Sequence, residues 1–380
     1  MYKNYNDDSI ALSYKTSDFE KLTVEKQLEV KQKMVADLFG KETLPIIPNP
    51  KPKHYRHKAV LSAVNVKLTK NFQIRLGLYI EGSKEIKPRL GHFLHHPGID
   101  KIFEDVEKLL IKYKMRAYHE KSGEGIIKHV MIRKSYAFNE YMVIFATQGT
   151  LFPNHKDFTK ELVSLHPEIK TVIQNIHRKD TKLILLEEEK IFYGPGYIID
   201  QIDDLRFQIS SRAFYQVNPE QMMNLYHKSL EIAQINTKQL VLDCYSGIGT
   251  ITLLASKLAH HVYGFEINDA SVKDAVNNKK INDIKNVTFV QGDVENLIEA
   301  FDKPVDLLIM DPTREGASLK FNQALLKLMP NKILYISCDP VTQARDIKQL
   351  SKFYRIKTVQ PVDMFTYTQH VESIVLLSLK

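Results

Sequence analysis

Five short apolar runs, at residues 240–245, 262–267, 287–291, 306–311 and 332–338, constrain this chain more than any other feature. Helical stretches separate most of them, and that alternation predicts a parallel sheet wrapped by helices. Asp243, Glu266, Asp293 and Asp311 stand at or just beyond the ends of successive runs. Ligands of open α/β sheets bind at the carboxyl ends of the strands, so these acids are expected to line one crevice. Two further strand candidates, 355–362 and 371–379, have no helix between them and predict an antiparallel edge on the same sheet. Upstream, Asn218-Pro219-Glu220-Gln221 reads as a helix start, with Asn as N-cap, Pro at the first helical position and Gln at the capping-box position. Met222, Leu225, Tyr226, Leu230 and Ala233 then recur at helical spacing as an apolar face.

The first run passes into Cys244-Tyr245-Ser246-Gly247-Ile248-Gly249-Thr250. Glycines between a strand and a helix let a ligand approach the backbone closely. Glu266 lies 23 residues after Asp243, where a carboxylate can accept both hydroxyl protons of a ribose. A dinucleotide suits the loop less well, because the third glycine of that fingerprint falls at Thr252. S-adenosylmethionine carries a ribose and an adenine but no pyrophosphate, and fits better. The bland alternative is a simple turn at Gly247 and Gly249.

The loop Asp311-Pro312-Thr313-Arg314-Glu315-Gly316 lacks the aromatic residue two places after Pro that exocyclic-amine methyltransferases tend to have. It also lacks the cysteine that RNA cytosine-C5 enzymes tend to carry there. Attention therefore turns to Cys338, which ends the run Ile333–Ser337 and precedes Asp339-Pro340, and to Glu372. Carbon 5 of uracil is a poor nucleophile; a thiolate adding at carbon 6 makes an enolate that activates it, and a base must later remove the carbon-5 proton. Cys338 is the candidate nucleophile and Glu372 the candidate base. Arg314 is a candidate to stabilise the enolate or the thiolate, or to touch RNA. A cysteine is more often inert and buried, the reading kept for Cys244. Glu372 opens an apolar run, Ile374-Val375-Leu376-Leu377, so a buried carboxylate there calls for an explanation.

Residues 20–39 predict a polar, lysine-rich helix, and Pro45, Pro48, Pro50 and Pro52 mark a linker after it. From about 55 to 200 short strands mix with helices, with 59–66 and 141–146 as clear strands. The expected division is an N-terminal part, 1–203, holding the helix and a mixed α+β domain, and a C-terminal α/β domain, 204–380. The 380 residues carry a net charge of +8, which favours an anionic partner. Basic residues cluster at Lys51, Lys53, Arg56, Lys58, Lys67 and Lys70, and again between Lys112 and Lys134. Tyr55, Phe72, Tyr113 and Tyr118 interleave them, a pattern that suits RNA. Two cysteines cannot build a four-cysteine metal or iron–sulfur site. The pairs His95-His96 and His260-His261 read as surface features, and no metal site is expected. The N-terminus lacks a signal-peptide pattern and no run reaches about 18 apolar residues, so a cytoplasmic protein without a membrane span is expected.

On Phe214–Pro219, Asp243–Thr250, Asp311–Arg314, Ser337–Pro340 and His370-Val371-Glu372, the chain resembles the bacterial RNA uridine-C5 methyltransferases, and more weakly so through 51–200, including His54–Lys58. These enzymes make 5-methyluridine in 23S rRNA or tRNA. The resemblance implies a class I, Rossmann-like S-adenosylmethionine-dependent methyltransferase domain behind an α+β RNA-binding domain. It implies Cys338 as nucleophile and Glu372 as general base. Gln216, Tyr245, Gly247, Gly249, Thr250, Glu266, Asp293 and Asp311 would hold the cofactor, and Arg56 and Lys58 would touch RNA. Phe214–Pro219 and Val359–Phe365 look closer to members acting on 23S rRNA than on tRNA, and a monomer is expected. The chain departs from the family pattern at Thr313, usually Pro, and Asp339, usually Asn. It has no room for the N-terminal β-barrel of many rRNA-directed members, and the stretch Ser13–Lys31 resembles their iron–sulfur segment without its cysteines. Two other classes remain at this level: a catalytically silent RNA-binding assembly factor, and a nicotinamide-dependent oxidoreductase.

Overall fold

The computed structural model describes residues 19–69, 72–80, 83, 85–179, 181 and 183–380. Lys70 and the Ser13–Asp18 part of the cluster-like stretch lie outside them. The chain forms two compact units.

The first unit comprises residues 53–201 and 208–212. Its sheet contains β1 (Lys58–Lys67), β2 (Phe72–Tyr79), β3 (Ile86–Pro88), β4 (Ile127–Lys134), β5 (Tyr141–Gln148), β6 (Ile169–His177) and β7 (Glu189–Tyr193), in the order β3-β2-β1-β4-β5-β6-β7. Only β5 and β6 pair in parallel, joined through a helix at His155–Leu165; the other neighbours are antiparallel. A helix at Pro97–Lys112 buries Ile99, Ile102, Phe103, Val106, Leu109 and Leu110 in the same core as Val130, Ile132, Val143 and Phe145. His96 caps that helix, accepting from Gly98 N–H at 3.1 Å, and His95 is buried against Asp100 at 2.8 Å, so this pair is structural rather than a surface feature. Arg56 and Lys58 are each 4% exposed, which departs from an RNA-facing surface. Lys58 opens β1, opposite Arg133 of β4. A hairpin, β8 (Tyr197–Ile202) and β9 (Leu205–Ser210), follows.

The second unit comprises residues 19–52, 202–207 and 213–380. After a helix at Pro219–Ala233, the expected runs form β10 (Leu240–Cys244), β11 (His261–Glu266), β12 (Val287–Gln291), β13 (Leu307–Met310) and β14 (Lys332–Ser337), all parallel. The last two strands, β15 (Tyr354–Val362) and β16 (Glu372–Leu379), are antiparallel, and the order is β12-β11-β10-β13-β14-β16-β15. The final strand is therefore interior, and β15 forms the edge.

The division differs from the 1–203/204–380 expectation because the N-terminal helix, α1 (Val24–Phe39), packs on the second unit. It buries Gln27, Lys31, Val35 and Phe39, a stripe at intervals of four, two members of which are polar. Lys31 and Asp363 form an ion pair at 2.6 Å with both side chains fully buried, and Lys31 Nζ also donates to Phe365 O at 3.0 Å. Thr366 Oγ1 donates to the other Asp363 oxygen at 2.7 Å, and Tyr367 N–H donates to Gln27 Oε1 at 2.7 Å. The proline-rich segment is not a free linker. Thr43 and Ile47 form isolated parallel bridges with Val359 and Val362 of β15, because prolines lack the N–H a continuous ladder needs. Gln221 does not close a capping box; its amide donates to Pro48 O and Asp363 O, each at 3.2 Å.

Removing one partner of a fully buried ion pair leaves an uncompensated charge. Lys31→Met is expected to lower unfolding stability by about 3–5 kcal/mol. Adding Asp363→Leu should recover part of that loss, as read by urea unfolding. Equal stability of Lys31→Met and the wild type would contradict the buried pair.

Candidate active site

The carboxyl ends of the parallel strands carry the residues singled out in the sequence. β10 ends in Asp243-Cys244 and turns through Tyr245 (φ 68°), Gly247 (φ 54°) and Gly249 (φ 83°) into a helix starting at Thr250. Three positive φ values in five residues make the loop tight enough to turn its backbone towards the strand ends. At Gly249 a Cβ would come 2.6 Å from the Phe289 ring, whereas at Gly247 a Cβ would meet nothing within 4 Å. Glu266, the last residue of β11, braces the loop: Oε2 accepts from Gly247 N–H at 2.9 Å and Oε1 from Asn268 N–H at 2.7 Å. A carboxylate has about four acceptor positions, so each oxygen keeps capacity for a further donor. Asp293 lies two residues past β12 and caps the following helix through one oxygen, accepting from Asn296 N–H at 3.1 Å. Asp311 follows β13 directly. Cys244 is fully buried, and burial pushes its thiol well up, as an inert packed residue requires. Neither cysteine forms a disulfide.

Asp243 is buried and accepts a short hydrogen bond from Thr252 Oγ1. Burial pushes its pKa up to about 8, with Asp311 and Glu266 adding repulsion and Thr252 opposing. Burial likewise raises Asp311 to about 7 and shifts Glu266 upward against the pull of its backbone N–H partners. Several carboxyl groups thus crowd one low-dielectric crevice.

The β14–β16 pairing brings Cys338 and Glu372 to the same end of the sheet. In the antiparallel β14–β16 ladder Ile336 faces Ile374 and Ser337 faces Ser373. One step further along that register sets Cys338, which follows β14, opposite Glu372, which opens β16. Glu372 is 3% exposed, whereas Cys338 is half-buried. The helix after the thiol, Pro340–Leu350, fixes the pairing: Gln343 Nε2 donates to Tyr335 O (2.8 Å) and Ser373 O (3.2 Å) and Oε1 accepts from Ser373 Oγ (2.6 Å). Asp346 from the same helix accepts from Ala317 N–H at 2.7 Å and Tyr335 OH at 2.8 Å, which holds the 311–317 loop.

Asp339 has a local explanation. It caps the same helix, with Oδ1 accepting from Val341 N–H at 3.0 Å and Thr342 N–H at 3.3 Å, and its other oxygen lies 3.3 Å from Arg314 Nε. An acid beside the thiol is thereby turned towards a helix N-terminus and a guanidinium. Arg314 keeps much of its side chain exposed beside this pair. Thr313 sits in a turn, its carbonyl accepting from Gly316 N–H at 2.8 Å.

Tyr226 was legible only as part of an apolar helix face. Its buried hydroxyl is hydrogen-bonded with Gln216 and lies near Asp311, Asp243 and Glu372; burial first, then these charges, raise its pKa well above the usual phenol value. A polar-tipped side chain in an apolar stripe, seven residues past Tyr215-Gln216-Val217-Asn218-Pro219, is the sequence signal for it. Gln216 itself is buried, as is Thr250, and the Tyr245 ring lies 5.5 Å from that of Phe321. Among the described residues no cluster of His, Cys, Asp or Glu could hold a metal ion, and no helix is long and apolar enough to cross a membrane.

Residues 153–380 match the family described as tRNA (Uracil-5-)-methyltransferase. A Bacillus cereus RNA methyltransferase is 35% identical over 369 residues, covering 94% of this chain and 80% of its own. One from Enterococcus faecalis is 36% identical over 357 residues, covering 93% and 77%. The Pyrococcus abyssi tRNA (uracil-54, C5)-methyltransferase, solved with S-adenosyl-L-homocysteine, superposes with a TM-score of 0.77 at 25% identity, covering 96% of this chain and 86% of that one. The chain belongs to the tRNA (uracil-5-)-methyltransferase family.

A folded-state pKa of about 8 for Asp243, against an unfolded value of about 3.9, means that the folded chain holds this proton more tightly. Its stabilising effect is complete below about pH 4 and is lost as pH rises through about 8. The melting temperature of the ligand-free protein is expected to fall across that window. Asp243→Asn, which still offers Thr252 an acceptor, should flatten the fall; an unaltered pH profile in this variant would mean the carboxyl is ionised in the fold.

Proposed function

We propose that this protein is an S-adenosylmethionine-dependent RNA uridine-C5 methyltransferase that forms 5-methyluridine, with Cys338 as nucleophile and Glu372 as base. The β14–β16 register, with Cys338 opposite Glu372 at the end of the acid-lined crevice, carries this proposal. The cofactor suits the residues present. Ser246 Oγ is buried in the glycine loop without a hydrogen-bond partner, and the space a Gly247 Cβ would fill is open. Gly247, Gly249, Tyr245 and Thr250 would seat it, Glu266 would take its ribose hydroxyls, and Gln216, Asp293 and Asp311 would line the remainder. S-adenosylmethionine, when bound, supplies an electrophilic methyl group on a sulfonium.

The chemistry of the chain's own residues follows from uracil's polarity. The Cys338 thiolate bonds to carbon 6, and the displaced π electrons move onto the carbon-4 carbonyl as an enolate, which makes carbon 5 nucleophilic. Once carbon 5 is methylated, Glu372 accepts the proton left there. The electrons of that C–H bond re-form the 5,6 double bond and expel the Cys338 thiolate, so the nucleophile is regenerated. A uridine must leave its stack to meet the thiol.

The proposed target is a uridine of 23S rRNA, supported by the likeness of Phe214–Pro219 and Val359–Phe365 to rRNA-acting members. tRNA is the second reading, favoured by the family description and the Pyrococcus abyssi enzyme. Labelled methyl transfer to unmodified 23S rRNA and tRNA transcripts, with nucleoside analysis, separates the two. Cys338→Ala should lose turnover by at least about a thousandfold, the scale on which an essential nucleophile is missed. Glu372→Gln should accumulate a covalent protein–RNA adduct that survives denaturing electrophoresis, because elimination is blocked. Full activity in Cys338→Ala would sink the mechanism. Gly247→Ala should fold but weaken S-adenosylmethionine binding in calorimetry, since its methyl would enter the ligand space; unchanged affinity would move the cofactor away from this loop.

A further inference from the structure

In the first unit a cleft of about 400 Å³ lies between the helix His155–Leu165 and the edge strand β7. Its volume falls in the range of sites that enclose a small ligand, about 300–1,000 Å³. Lys156, Lys160 and Lys190 line it and are exposed, and none of the lining residues is acidic. Two of the flanking carboxylates are engaged elsewhere, Glu161 with Lys112 at 2.6 Å and Glu189 with Ser211 Oγ at 2.6 Å, while Asp157 stands exposed beside Lys156 outside the lining. The cleft also has an aromatic wall. The rings of His155 and Phe192 lie 4.8 Å apart at 32°, Lys190 Nζ stands 5.8 Å from the Phe192 centroid, and Tyr193 is 43% exposed.

Cations arranged around π faces, in a lining that holds no acid, complement a phosphate backbone with unstacked bases. The geometry points to a binding site for single-stranded RNA in this cleft, with a base on the aromatic wall and flanking phosphates on Lys156, Lys160 and Lys190. Granted the RNA substrate proposed above, the site grips a strand of that RNA and contributes to affinity rather than to the chemical step. None of the two basic stretches legible in the sequence contains these lysines, which the topology gathers from separate elements.

The test uses the full chain and a fluorescein-labelled short oligouridylate, titrated across a salt series. Lys156→Ala/Lys160→Ala/Lys190→Ala should weaken binding about tenfold or more and make the slope of log Kd against log salt shallower by about 2, from about 0.7 per phosphate released. Tyr193→Ala should weaken binding about fivefold or more while leaving the salt slope unchanged, as loss of a stacking face does. With the methylated RNA, the triple variant should raise KM and leave kcat within about twofold. A control, Lys238→Ala/Lys348→Ala/Lys352→Ala, removes the same charge and should leave affinity and slope as in the wild type. An unchanged slope in the lysine triple, or an equal change in the control, would overturn the site. Probe binding that responds as expected in a protein that methylates no RNA would reject the proposed reaction and leave this site standing.

Discussion

The antiparallel pairing of β16 between β14 and β15 is the constraint on which the rest of the candidate site depends. A parallel strand in that slot would point its first residue to the other end of the sheet. Running antiparallel, β16 begins where β14 stops, so a residue at the start of one strand faces a residue just past the end of the other. No loop has to be folded over to bring thiol and carboxylate together. Gln343 adds a lock, since its amide engages the backbone of both strands and the Ser373 hydroxyl. A register slip would break all three bonds and would also turn the buried face of β16 outward.

The same slot makes the approach to Glu372 demanding, because the chain between β15 and β16 must cross the end of the sheet within nine residues, 363–371. That crossing is held from outside by groups that are themselves buried: Lys31 and Gln27 from α1, and Asn218, whose amide donates to Met364 O at 2.9 Å. Buried polar groups that are fully paired confer one arrangement and penalise the others. The N-terminal helix is therefore an integral part of the catalytic unit although the whole of the first unit separates the two in sequence.

The alternating runs made the parallel sheet legible, since strands buried on both faces read as continuous apolar segments. The positions of the acids at the strand ends, and of Cys338 and Glu372 at the ends of β14 and β16, were legible too, because each borders an apolar run whose strand the sequence already marks. What escaped was decided by partners distant in sequence. Lys31 looks solvated until Asp363 is placed beside it, Tyr226 looks like packing until Gln216 and the carboxylates surround its hydroxyl, and Arg56 and Lys58 look like surface cations although the fold buries both. The interior position of β16 was likewise invisible, because two adjacent strand signals do not say which of them is the edge.

The segment carrying Pro45 and Pro48 has a consequence for how the protein behaves in company. β15 is the outermost strand, and an uncovered outermost strand is a template on which a second chain can polymerise. Leu44 N–H donates to Val359 O at 2.8 Å and Ile47 N–H to Pro361 O at 3.0 Å, so the segment satisfies the carbonyls such a chain would use. Its own outer side, interrupted by prolines, offers no ladder to continue. A stretch that connects two parts of the sequence thus also ends the sheet, and a shortened chain lacking it would present a sticky border where the intact protein has a finished one.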